Sequence, residues 1–97
     1  MSQLIVVGRI KAKKEFAHQV YQILLALVKP TLTQDPGCIQ YDMHQDNDDP
    51  SLFYFIEKWE SQALFDKHMN TVHVQSFIKS TEGMIESGDT NILTKVS

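Results

Sequence analysis

Apolar and polar positions along this 97-residue chain change period repeatedly, and each change marks an element. From Gln3 to Lys11 the chain is solidly apolar or alternating, with Leu4, Ile5, Val6, Val7 and Ile10 around Gly8 and Arg9. This predicts a first, largely buried strand. Gly8 sits in mid-strand, where it weakens packing but lets something approach the backbone closely. From Lys14 the period becomes helical: Phe16, Val20, Ile23, Leu24 and Leu27 share one face, and Lys14, Glu15, His18, Gln19 and Gln22 fall towards the other. Pro30 is expected to kink this helix or end its regular part, and Asp35-Pro36-Gly37 signals a turn.

Cys38 to Gln45 alternates again, with Ile39, Tyr41 and Met43 against Cys38, Gln40, Asp42 and His44. The polar turn Asp46-Asn47-Asp48-Asp49-Pro50 then leads into an aromatic strand, so the two strands form a hairpin. Ser61 is suited to cap a helix carrying Leu64, Phe65 and His68, and Thr71 to cap a second piece carrying Val74, Phe77 and Ile78. Gly83 and Gly88 bracket a weak region, after which Asn91 to Val96 reads as a closing strand. The order β-α-β-β-α-β, with the second helix in two pieces, specifies a single α+β domain over residues 1–97 with the ferredoxin-like split arrangement. Its antiparallel sheet carries helices on one face, and the bare opposite face offers a place for a second subunit.

Composition narrows the partners. Hydrophobic residues make up 42% and charged residues 22% of the chain, with no run biased enough to serve as a linker or tail. A net charge of -3 provides no basic patch, which argues against nucleic acid or an anionic membrane surface. No apolar run approaches the roughly 20 residues that span a bilayer. Cys38 is the only cysteine, so no internal disulfide forms, and the chain starts without a charged segment followed by a long apolar one. A cytoplasmic location is expected, with small molecules and other protein chains as partners.

Candidate chemistry concentrates after residue 52. Phe53, Phe55, Glu57 and Trp59 line one strand face, and a carboxylate among three aromatics needs a partner or a proton. A histidine on the following helix could serve as that partner. Glu57 is then either a proton shuttle with a raised pKa or a structural carboxylate bonded to a helix start. His68 lies on the apolar face of its helix, in line with Leu64 and Phe65, and points at the sheet. His73 falls in the first turn after Thr71, where the helix dipole favours a neutral imidazole. A zinc site from Glu57, His68, His73 and His44 is set aside, because the two helical histidines are five apart and straddle a helix break. A metal is therefore not expected. Cys38 has no basic neighbour to stabilise a thiolate and reads as a small hydrophobe. Tyr41 is placed to bond a ligand oxygen or to pack across strands.

The segments Asp35-Pro36-Gly37-Cys38-Ile39-Gln40-Tyr41 and Phe55-Ile56-Glu57-Lys58-Trp59-Glu60-Ser61, followed by His68, Thr71 and His73, resemble the antibiotic biosynthesis monooxygenase family. That resemblance implies a homodimeric α/β barrel, with two sheets packed face to face and one pocket per subunit. It also implies oxygenation of an electron-rich phenol or quinol by O2 without flavin, metal or haem. Trp59 matches a pocket tryptophan of the anthrone-oxidising branch, but Phe55 and Phe65 stand where that branch has asparagine and tyrosine. Gly8 and His68 replace the residues that the haem-degrading branch requires. Glu57, His68 and His73 match quinol monooxygenase-like members, and also members that isomerise a small phosphorylated dicarbonyl signalling sugar. On this resemblance Glu57, His68 and His73 are the expected catalytic residues, and Tyr41, Phe55, Trp59 and Phe65 the substrate-binding ones. The alternatives are the isomerase acting on a dicarbonyl substrate and a non-catalytic small-ligand-binding protein.

Overall fold

The computed structural model describes residues 3–97. Four strands, β1 (Leu4–Ala12), β2 (Cys38–Gln45), β3 (Leu52–Trp59) and β4 (Ile85–Thr94), form one antiparallel sheet in the order β2-β3-β1-β4. Between β1 and β2 lie a short 3-10 turn (Lys14–Phe16), α1 (Ala17–Leu25) and α2 (Val28–Gln34); between β3 and β4 lie α3 (Gln62–Met69) and α4 (Val72–Ser80). This is the expected ferredoxin-like arrangement, with both helical layers broken in two. Among the described residues no helix is long and apolar enough to cross a membrane.

Register sets what faces the helices. Val6, Glu57 and Tyr41 lie opposite one another across β1, β3 and β2, followed by Gly8, Phe55 and Met43, and then by Ile10, Phe53 and Gln45. Because side chains alternate along strands, this row-by-row pairing puts Glu57 inside. Val6, Tyr41, Phe53, Phe55 and Trp59 meet Val20, Leu24, Leu27, Phe65 and Val74 from the helices in one buried cluster. Trp59 and Phe53 are the largest wholly buried side chains, and such residues supply about 1.5–3 kcal/mol each on burial.

Both caps form as the residue types demand: Ser61 Oγ accepts from Leu64 N (3.2 Å) and Thr71 Oγ1 from Val74 N (3.3 Å). Three expectations need correction. The first helix breaks at Ala26–Leu27, ahead of Pro30, which sits in the first turn of α2 where its missing N–H has no intrahelical partner to lose. In β2 the pairing slips between Cys38 and Gln40, so Cys38 packs on the core while Ile39 is 44% exposed. The last strand is Ile85–Thr94, not Asn91–Val96, and Gly88 lies within it opposite Ile10. Its polar segment Glu86-Ser87-Gly88-Asp89-Thr90 has no apolar pattern to announce a strand, and the ladder with β1 holds it extended. Along β4, Ile92 and Leu93 remain 46% and 48% exposed.

The turn that joins the helical layer to β2 rests on Gly37, whose φ is +81° and whose missing Cβ leaves room for Leu64, 2.4 Å from where a Cβ would stand. Gly37→Ala is therefore expected to lower stability by about 2 kcal/mol or more in urea unfolding, with the unfolding slope unchanged.

Candidate active site

Glu57 is buried, and its Oε1 accepts from Trp59 Nε1 at 2.9 Å. The two residues are neighbours on one strand face, so the bond is set by backbone alternation. Burial pushes the Glu57 carboxyl up to about 7, against the opposing effect of the Trp59 bond. Trp59 is thus not a ring surface open to a ligand, as expected from the sequence. It is wholly enclosed, and it acts by holding Glu57.

The expected pairing of Glu57 with a histidine does not form. His68 instead places Nδ1 at 2.5 Å from Asp35 Oδ2, and His73 places Nε2 at 2.9 Å from the same oxygen. Asp35 is a site residue that the sequence does not announce, since there it reads only as part of a turn. It closes α2, His68 stands in the last turn of α3, and His73 in the first turn of α4, so one carboxylate draws three helix ends together. Burial drives the His68 imidazole below its ordinary pKa despite the opposing pull of Asp35. A neutral imidazole facing a carboxylate donates through the near nitrogen, which leaves Nε2 of His68 as a free acceptor. Trp59 (ring centroids 4.7 Å apart), Tyr41 (5.3 Å, edge-on) and Phe65 (6.1 Å) fix the ring's orientation.

A cavity of about 260 Å³ lies between the sheet and the helices, lined by Tyr41, Phe55, Glu57, Phe65 and His68 together with Gly8 and the β4 backbone region around Gly88. The structure therefore brings together two of the three expected catalytic residues and three of the four expected binding residues. His73 lies apart, in an outer cavity shared with Asp35 and the other side of His68. Tyr41 stacks with Phe55 at 4.9 Å, and burial raises its phenol far above the ordinary value, so it acts only as a neutral hydroxyl. Cys38 borders this region as a protonated thiol, pushed up to about 11 by burial and by the nearby Glu57 and Asp35 carboxylates.

Asp35, His68 and His73 form the group among the described residues whose atoms could converge on a metal ion. Two ligands on one ion, each at about 2.1 Å and at a right angle, stand about 3 Å apart, wider than the 2.5 Å between Asp35 Oδ2 and His68 Nδ1. As they stand, the three are hydrogen-bonded partners.

A family model described as antibiotic biosynthesis monooxygenase matches residues 3–80. Among solved structures, PA3566 from Pseudomonas aeruginosa superposes with a TM-score of 0.95 at 33% identity, covering 100% of this chain and 97% of that one. A crystal structure described as antibiotic biosynthesis monooxygenase gives 0.90 at 29%, covering 97% and 99%. An uncharacterized Synechocystis protein is 26% identical over 84% of this chain, which spans 55% of that relative's length. A Bacillus subtilis protein named "Putative monooxygenase YcnE" is 25% identical over 91% of this chain and 92% of its own.

Because the folded Glu57 carboxyl ionises near 7 and an unfolded one near 4.3, its contribution to stability is full at low pH and is lost as pH rises through that window. The loss is on the order of 3–4 kcal/mol. Glu57→Gln keeps an oxygen for Trp59 without the charge. It should match the parent near pH 4.5 and exceed it in stability at pH 8, as read by urea unfolding at both values; equal stabilities at pH 8 would contradict the burial of an ionisable carboxyl.

Proposed function

We propose that this chain, which belongs to the antibiotic biosynthesis monooxygenase family, is a cofactor-independent monooxygenase that oxidises a quinol or related polyphenol with O2. The observation that carries this reading is the pairing, in one small apolar-walled cavity, of a carboxyl poised near neutral pH with an imidazole kept neutral by burial and oriented by a buried aspartate. A phenol becomes able to reduce O2 once it is deprotonated, so the protein's task is to bind it, take the proton and keep the anion dry. His68 Nε2 is the acceptor, with Glu57 as the second proton-holding group and the neutral Tyr41 hydroxyl orienting a substrate oxygen. Phe55 and Phe65 supply the aromatic walls. Overall, one oxygen atom enters the ring, the other leaves as water, and the hydroquinone departs as a hydroxyquinone, so that four electrons pass from substrate to O2.

His73 takes the role of a positioning residue here, since it reaches the cavity only through Asp35 and His68. Isomerisation of a phosphorylated dicarbonyl would need a cationic grip on phosphate. Among the described residues lining the cavity Arg9 alone is a lysine or arginine, and strand alternation turns its side chain to the opposite sheet face, where it meets Asp89 at 3.5 Å. A homodimer is part of the same proposal, supported by the exposed Ile92 and Leu93 on the outer strand and by the sheet face without helices. A cytoplasmic setting suits the lone free cysteine.

Metal-free protein mixed with a panel of reduced quinols should consume O2 above the autoxidation rate and sediment as a dimer. Glu57→Gln, His68→Ala and Asp35→Asn should each lower kcat by about a hundredfold or more. Loss of turnover in Glu57→Gln with ligand affinity intact separates catalysis from simple binding. Absence of any enzyme-dependent consumption across the panel would contradict the assignment.

A further inference from the structure

Three of the four glycines have a structural reason to be glycine. Gly37 and Gly83 have φ of +81° and +79°, and a Cβ on Gly88 would stand 3.0 Å from the Arg9 carbonyl oxygen. Gly8 has none of these. Its φ is not positive, it lies in a regular stretch of β1 opposite Phe55 and Thr90, and a Cβ there would meet only ordinary contacts, 3.9 Å from Glu57 Oε2 and 3.9 Å from Phe55 Cβ. A glycine in mid-strand weakens the strand, so its presence where alanine would fit calls for another cause.

The position of that missing side chain supplies the cause. Gly8 faces the helices in the same row as Phe55, and it lines the cavity. Any side chain on it would project beside the one carboxylate oxygen of Glu57 that Trp59 does not occupy, since Trp59 binds Oε1 and Oε2 lies on the Gly8 side. We propose that Gly8 is a specificity-determining residue: its bare backbone is the floor on which a flat ring lies, with the ring's hydroxyl directed to Glu57 Oε2. The ligand class is accordingly a flat phenol or quinol, whose ring lies along the bare strand backbone beside the free carboxyl oxygen and which loses more room to a side chain at Gly8 the larger it is. This rests on the cavity being the ligand site of the proposed function, but not on O2 chemistry. At about 260 Å³ the cavity is close to the small end of ligand sites, roughly 300–1,000 Å³, so one methyl or isopropyl group removes a substantial part of it.

The test uses the full chain with Gly8→Ala and Gly8→Val, and two oxygen-stable probes, 1-naphthol and phenol, titrated in binding assays without turnover. Thermal unfolding should place both variants at or above the parent. The affinity for 1-naphthol should fall by about tenfold or more in Gly8→Val and by less in Gly8→Ala, with phenol affected less than 1-naphthol in each. Equal 1-naphthol affinity in all three proteins, an equal loss for both probes, or no saturable binding by the parent would overturn the proposal. An inactive protein that still shows this size-graded loss would fail the oxygenase reading while upholding Gly8. An active enzyme whose 1-naphthol affinity ignores Gly8→Val would do the reverse.

Discussion

The geometry of the site depends on one buried carboxylate. Asp35 closes the first helical layer, and its Oδ2 takes hydrogen bonds from an imidazole at the end of α3 and another at the start of α4. Loss of Asp35 would leave the buried His68 imidazole unpaired in the interior, which costs far more than the bond itself contributes. The break between α3 and α4 thereby becomes a fixed feature, and His68 is delivered to the cavity with its ring already oriented. The same turn continues into Pro36 and Gly37, and the Gly37 carbonyl accepts from Glu60 N just after β3. The segment that sets the imidazole is thus tied to the strand that carries Glu57 and Trp59.

Glu57 and His68 are shifted in opposite directions, but towards the same outcome. Burial raises a carboxyl and lowers an imidazole, so each is driven to its uncharged form in a cavity walled by Tyr41, Phe55 and Phe65. Pairs of titratable groups tuned in this way characterise sites where protons move. A cavity whose titratable groups are pushed towards their uncharged forms can admit an apolar ring. It then has one group able to accept a proton at the moment an anion forms, and the price of this arrangement is stability that Glu57 gives up as pH rises from about 4 to about 7.

Much of the fold was legible because it is written in short-range chemistry. The aromatic strand, both polar caps, the hairpin and the Asp35-Pro36-Gly37 turn follow from residue types at fixed spacing, and the element order follows from them. What was not legible involves partners distant in sequence. The pairing of His68 and His73 with Asp35 spans more than thirty residues, and periodicity says nothing about which acid an inward-facing histidine will meet. The available signal was an acidic residue fixed in a rigid turn and two histidines across a helix break with no acid of their own. The early start of β4 was hidden for a related reason, since a polar edge strand is made by the ladder of its neighbour β1 rather than by its own pattern. The slip at Cys38 moved Ile39 outward because one irregular pairing inverts the faces that alternation predicts.

With Asp35 as its partner, His68 is held in one tautomer, the proton on Nδ1 and Nε2 left as the acceptor. Long-range proton–nitrogen correlation spectra of the histidine side chains at neutral pH test this directly. For His68 the expected pattern is a protonated Nδ1 with a strongly downfield proton and an unprotonated Nε2, and it collapses in Asp35→Asn. An imidazolium, or a proton on Nε2 with Nδ1 bare, would contradict it.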